Sequence, residues 1–417
     1  VFAGTIKPGE ENGGTADGQF RVVPSVACDA KGRVYVADYM NDRVQVFDAA
    51  GKHLKSIPAT KPASVAIHHK SGDIYVFSWM LVNRLITSGD TRIEPTFTHL
   101  GPFEDPKVKA TGPLPLHGHV SSVGWNATGG VEHRVGLDSW TEPPTIWVIN
   151  GLAAATTYND GGGAIGARGE WDACSFALYK EGEGGKLTTG RRFSDDVKKA
   201  VVRPSAAPYW RQRLYVNPAN GKLYLGEPDS GVDNSFNQLV EIDPRTGKIK
   251  LVDLPLGAED LCFDLNGLAY IRSDILVARY DPTSWREIPW DYGQEFERHG
   301  YGMGAREAKL MAALRTPGHR SFNFWHLGGI DISAKGHLVV TTCNGAGMDA
   351  PKTGPGKGSF SYEDKPYVPA VYPGRARWGE IHIWDKHGKL IMEDAAPGMG
   401  HLNGIAIDRD DNLYMLS

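Results

Sequence analysis

Short runs in which apolar and polar residues alternate recur along the chain, the period-two pattern of half-buried β-strands. The clearest set lies near the N-terminus: 24–29, a Gly turn, 31–38, a short loop, 41–48, a second Gly turn, and a strand that starts at 51. Four strands joined this way make one antiparallel sheet, with strands a to d in chain order. The a–b hairpin of that unit recurs at 64–68 with 73–77, 122–126 with 145–149, 213–217 with 222–225, 260–264 with 268–271, 329–333 with 337–340, and 404–408 with 412–415. Outer strands are readable at 238–243, 276–280 and 380–385. A hairpin repeated along the whole chain predicts one large repeat domain, against the two or three domains that 417 residues alone would suggest.

The repeats predict an all-β fold, a β-propeller of four-stranded antiparallel blades. Seven blades are expected, with six blades and an extra hairpin as the alternative. Blade cores are placed near 24–57, 62–98, 119–192, 208–253, 257–288, 326–393 and 401–417. The last of these holds two strands, and 1–6 is expected to complete it as strand d, closing the ring and removing exposed sheet edges. In the first unit Asp38, Asn41 and Arg43 follow an Asp-x-x-Asn-x-Arg spacing. A carboxylate and an amide so placed can tie the b–c loop while the Arg pairs with an acid. With this spacing the unit resembles NHL repeats, and the resemblance extends over nearly the whole chain, most degenerate in the second and third blades.

Composition narrows the picture. Hydrophobic residues make up 41% of the chain, enough for a substantial core, and a net charge of −4 offers nothing to nucleic acid or an acidic membrane surface. No run approaches 18 apolar residues, so no membrane span is expected. Cys28, Cys174, Cys262 and Cys343 form no CxxC, which argues against a cysteine-pair zinc site or a c-type haem. Cys28 and Cys262 share one slot of strand a and are expected as small buried core residues. The sequence starts at Val1 without Met or a signal segment; an extracytoplasmic location is expected from this and from the habits of such repeat proteins.

Loop lengths are lopsided. The a–b turns are short, as at 30–32, 265–267 and 334–336, with 127–144 in the third blade as the exception. The long segments, 101–118, 152–173, 194–208, 290–324 and 344–377, are d–a linkers or b–c loops, which leave a propeller from one face. A helix is expected at 305–315 from its run of strong helix formers. Long loops gathered on one face predict a working face, insertion drift at a tolerant surface being the alternative.

Aligning the inner strands on their final Asp, Asn, Ser or His and stepping back seven residues gives Val22, Lys61, His119, Trp210, Gly257, His326 and His401. Three histidines in one slot at the channel mouth could hold a divalent metal with an open coordination position. Zinc is the first candidate, with copper, iron and manganese also compatible with nitrogen ligands. Alternatively, these histidines only bond loop backbone or water. His117 could replace His119, while His299 and His319 are expected in solvent. Glu259 and Asp260 open the inner strand of the fifth blade as candidate general bases. Arg213, beside Arg211, opens that of the fourth as a candidate holder of an anionic substrate. An Arg–Glu pair lining a polar channel is the plainer reading.

The repeat type together with His119, His326 and His401 resembles the peptidyl-amidoglycolate lyases, which implies zinc held by channel histidines from separate blades. Blade number and loops depart from that family, and its Tyr and Arg motifs have no match here. Glu259 with Asn403 is a thinner likeness to calcium-dependent lactonases, which implies calcium as a further candidate. Two functions stay open: a metal-dependent lyase or hydrolase taking a small polar or anionic ligand in the channel, or a non-catalytic module binding a protein partner on the loop-rich face. Fold does not decide between them.

Overall fold

A computed structural model of the protein describes residues 13–79, 81, 93–116, 134–149, 176–193, 213–227, 236–258, 260–273, 276–298, 308–316, 329–344, 377–393, 395, 404–408 and 410–416. The chain forms two compact units, Val1–Trp210 and Arg211–Ser417.

The first unit holds three four-stranded antiparallel sheets, each a simple meander. They are β1 (Ser25–Cys28), β2 (Val34–Asp38), β3 (Arg43–Phe47) and β4 (His53–Pro58); β5 (Pro62–Ile67), β6 (Asp73–Ser78), β7 (Thr96–Pro102) and β8 (Val108–Pro113); and β9 (Arg134–Asp138), β10 (Thr145–Ile149), β11 (Phe176–Glu181) and β12 (Leu187–Arg192). The second unit opens with β13 (Arg213–Val216), β14 (Leu223–Glu227), β15 (Phe236–Ile242) and β16 (Ile249–Ala258). Next come β17 (Asp260–Phe263), β18 (Ala269–Ser273) and β19 (Leu276–Asp281), whose outer edge is shared by β20 (Arg286–Glu287) and by β22 (Ala308–Arg315), itself paired with β21 (Gln294–Arg298). Another meander, β23 (Ile330–Ile332), β24 (Leu338–Asn344), β25 (Arg377–Trp384) and β26 (Leu390–Met392), precedes the hairpin β27 (Gly404–Ile407) and β28 (Leu413–Leu416).

Within each unit the first strands of consecutive sheets lie side by side, β1 with β5 and β5 with β9, then β13 with β17, β17 with β23 and β23 with β27. The apolar cores sit between neighbouring sheets. Tyr35, Val44 and Val46 meet Val65, Ile74 and Val76; Leu239, Leu254 and Leu256 meet Leu261, Ile271 and Ala278; Val277 and Leu314 meet Ile330, Leu338 and Val340. Each fully buried side chain of this kind stabilises the stack by roughly 1.5–3 kcal/mol. Inner strands abutting and sheets packed face to face make this all-β fold a β-propeller of four-stranded antiparallel blades, as the alternation predicts.

Several expectations are corrected. No helix forms at 308–315: these residues are strand β22, held by β21 and by Leu276 and Val277 of β19, with Leu310, Ala313 and Leu314 buried. Packing overrides the intrinsic helix preference of Ala, Leu and Met. The expected linkers 101–118 and 290–324 contain β8, and β21 with β22, so the second blade runs on to Pro113. Strand a of the third blade is Arg134–Asp138, paired with Thr145–Ile149, where 122–126 was expected. Cys28 is exposed: Ser25 and Ala27 turn toward β5, which leaves Val26 and Cys28 on the opposite face of β1, while Cys262 packs on the core between the fifth and sixth blades as expected. The closing strand expected at 1–6 lies outside the described residues.

Candidate functional site

The ends of six inner strands do one job, while in the second blade His68 instead meets the Ser71 hydroxyl and the Thr141 carbonyl. Asp29 accepts the N–H groups of Lys31 and Arg33, Asp138 that of Trp140, Asn217 that of Ala219, Asp264 that of Leu268, Ser333 that of His337, and Asp408 those of Asp410 and Asn412. A short polar side chain closing its own turn is the local reason these residues sit there. Tyr35, Tyr270 and Tyr414, six residues on, donate their hydroxyls to Asp29, Asp264 and Asp408. The register used to line up the repeats is therefore a structural one.

That register moves one candidate. The turn-closing residue of the third blade is Asp138, so the position seven before it is Val131 and not His119. His119, His326 and His401 lie outside the described residues, as do His117, His299, His319, Trp210 and Glu259. The slot itself is described at Val22 and Lys61, which take φ of 65° and 41°, a left-handed backbone uncommon outside glycine. Val22 accepts the Tyr39 N–H, and Lys61 turns back to the previous blade, its ammonium 3.0 Å from Asp42. Gly257 is part of β16.

Arg213 is the first residue of β13, opposite Gly226. Asp260 is buried and accepts the Tyr215 hydroxyl at 3.0 Å and the Leu261 N–H at 3.0 Å. Asp331, on the next inner strand, accepts N–H groups from Ile332 and, across to the final hairpin, Ile407. Burial, outweighing these two N–H groups and reinforced by the charge of Asp260, raises the Asp331 carboxyl above its ordinary pKa. Sequence reasoning passed over Asp331, although a carboxylate between two isoleucines is a visible signal.

The b–c ends of the blades carry buried polar groups. In the first blade Asp38 accepts the Arg21 N–H at 2.7 Å, Asn41 at 2.8 Å, Arg43 Nε at 2.9 Å and Gln45 at 3.1 Å. This is the clamp that the Asp-x-x-Asn-x-Arg spacing predicts, and it also grips the chain before β1 through the carbonyls of Gly14, Ala16 and Gln19. In the sixth blade the same rungs are different. Thr342 stands opposite Glu380 as Asp38 does opposite Arg43, and His382 stands opposite Val340 as Gln45 does opposite Val36. His382 Nε2 lies 2.8 Å from the Thr342 hydroxyl and 3.5 Å from Glu380. Arg272, at the end of β18, donates to the Gly329 carbonyl, which also accepts the Thr341 N–H. Arg272, Glu380 and His382 are 1%, 1% and 0% exposed. The signal of the last two was legible: Glu380 and His382 alternate with isoleucines and fall on the same strand face as buried Trp384.

At the opposite end, the c–d turn region of one blade docks on the blade before it. Glu104 binds Lys31 and Arg33 of the first blade, Glu181 binds His99 and Tyr75 of the second, and His387 binds Asp291 beside the fifth. Among the described residues no group of three His, Cys, Asp or Glu side chains comes together as a metal site.

No family model matches the chain, and no curated protein does. Solved structures similar to it include a protein from Lactobacillus plantarum (13% identity over 96% of this chain and 91% of that one, TM-score 0.44). Others are a streptogramin B lyase (11%, 94% and 89%, 0.42) and a virginiamycin B lyase from Staphylococcus aureus (10%, 93% and 88%, 0.41). Likeness at this level says nothing about chemistry.

Proposed function

We propose that the chain is an NHL-type propeller enzyme whose site lies at the b–c end of the second unit, acting as a metal-dependent lyase or hydrolase on a small polar or anionic substrate. The observation that supports this reading is the burial of Arg272, Glu380 and His382 at these rungs, where a different residue set replaces the clamp of the first blade. His326 lies three residues before Gly329, whose carbonyl Arg272 holds, and His401 occupies the equivalent slot of the final repeat. These two are the proposed metal ligands. His119 stays a separate candidate, without the register that groups the other two. An ion held by imidazoles, zinc first and copper, iron or manganese as alternatives, would supply Lewis acidity to the substrate; calcium would instead call on the oxygens of Glu259 and Asn403. Asp260 is already an acceptor for Tyr215 and Leu261, so the general-base role is proposed for Glu259, and Arg213 is proposed to meet an anionic substrate. Metal analysis of the purified protein tests this: stoichiometric metal, lost in His326→Ala and His401→Ala, is expected. A metal-free protein, or variants that keep full metal content, would refute the assignment.

One feature favours a non-catalytic module instead. Leu390, Ile391 and Met392, consecutive on strand β26, are 37%, 50% and 50% exposed, an apolar edge suited to a protein partner. A monomer at all concentrations that binds metal and no partner would set this reading aside.

A further inference from the structure

We infer that His99 is a proton-gated latch between the second and third blades. Its ring lies between two carboxylates of different blades, with Nε2 2.9 Å from Asp73 Oδ2 and Nδ1 3.0 Å from Glu181 Oε1. Asp73 belongs to β6 and Glu181 to β11, so the second contact is the one that crosses between sheets. A neutral imidazole has one N–H and one lone pair. With an acceptor-only carboxylate on each side, the neutral ring would set a lone pair against an anionic oxygen. Only the doubly protonated ring satisfies both contacts.

The surroundings fit a cation. Tyr75 stacks on the imidazole at 4.3 Å between centroids, 16° from parallel, and its hydroxyl donates to Glu181 Oε2 at 3.0 Å. From β8, Lys109 holds both oxygens of Asp73 at 2.8 Å. Facing His99 there are thus Asp73 and Tyr75 on β6, Lys109 on β8 and Glu181 on β11. With His99 charged the four ionic groups balance; without its proton they carry one excess negative charge. The His99, Asp73 and Glu181 side chains are 14%, 10% and 15% exposed, so water screens that excess poorly.

Electrostatics agree with the geometry. Burial opposes the charged ring, but hydrogen bonds to Glu181 and Asp73 outweigh it and raise the His99 pKa above 6.5. Burial likewise opposes ionised Asp73, and bonds from Lys109 and His99 outweigh it and lower the carboxyl below 3.8. A raised imidazole stabilises the fold fully below its unfolded pKa, and that stabilisation is lost as pH rises through the folded value. The latch is closed below the ordinary histidine pKa and opens as pH rises through the raised folded value. Beside the latch the turn 183–185 lies against the backbone of β8, where a Cβ on Gly185 would meet the Thr111 carbonyl at 2.5 Å.

Hydrogen exchange over 176–193, corrected for intrinsic rates, tests this across about one unit either side of the folded His99 pKa, which the ring-proton NMR of wild-type protein fixes independently. Local opening of this segment in wild type is expected to rise severalfold across that titration, about tenfold being the ceiling for a single proton over this window. In Glu181→Gln and His99→Phe it is expected to be high and flat with pH, while Tyr75→Phe keeps the pH dependence. A His99 titration at or below the value of a free histidine would overturn the proposal. So would a wild-type profile flat in pH, or a His99→Phe profile with the wild-type slope.

Discussion

Replacing Asp38 by alanine isolates the clamp of the first blade. The carboxylate is 0% exposed and accepts four donors, three of them on Oδ2. Removing one partner of a buried ion pair costs about 3–5 kcal/mol when the other charge is stranded. Here the stranding is partial. Arg43 keeps the carbonyls of Ala16 and Gln19 and lies 3.5 Å from exposed Asp17; Asn41 keeps Gly14; Gln45 keeps Gln19. The Arg21 N–H and the Arg43 Nε–H lose the acceptor that Asp38 gives them, and an orphaned buried donor costs about 1–3 kcal/mol. The expected loss for Asp38→Ala is therefore about 2–4 kcal/mol. Asp38→Asn keeps the shape but turns an amide NH₂ toward at least one donor, and is expected to cost about 1–3 kcal/mol. Urea unfolding followed by tryptophan fluorescence gives the stabilities, and hydrogen exchange over 14–22 shows whether the gripped segment is released. An Asp38→Ala variant within about 0.5 kcal/mol of wild type, the range of ordinary surface substitutions, would refute the clamp as a stabilising device.

The turn-closing tyrosines make a graded series. Tyr35→Phe and Tyr270→Phe each lose a hydroxyl bonded to a carboxylate from a buried ring and are expected to cost about 1–2 kcal/mol, while Tyr414, 58% exposed, is expected to change stability by less than about 0.5 kcal/mol. Gly329→Ala places a Cβ at φ 120° against the Thr341 hydroxyl and 3.2 Å from Arg272, so a loss of about 2–4 kcal/mol is expected in thermal unfolding. Thr342→Val keeps volume but removes the hydroxyl 2.8 Å from His382 Nε2, and about 1–2 kcal/mol of lost stability is expected; no change would mean the contact is idle.

Period-two alternation made the inner hairpins legible because each strand buries one face and closes its own turn, as at Asp29, Asp264 and Asp408. It failed where two segments competed for one partner. Residues 122–126 alternate as well as 134–138 does, and only pairing with Thr145–Ile149 separates them. It failed again at 308–315, where composition favours a helix but the edge of β19 offers a ladder. The Asp38 clamp was readable because its members lie within one loop. The His99 latch was not: Asp73, His99 and Glu181 lie far apart in sequence, and adjacent blades bring them together.

The docking of the c–d turns of the second, third and sixth blades on the blade before gives the structure a polarity. Glu104 completes the blade that ends at β4, and Glu181 completes the one that ends at β8. A blade made early is thus finished by a residue synthesised later. During chain growth the newest blade is always the one short of a partner, and it is the place where a second molecule could intrude. Loss of residues from the C-terminal side would strip these polar contacts from the preceding blade, whereas loss of the first blade would leave Glu104 spare and bare the apolar face of the second that meets Tyr35, Val44 and Val46. For these polar contacts, order of synthesis and order of completion run in opposite directions.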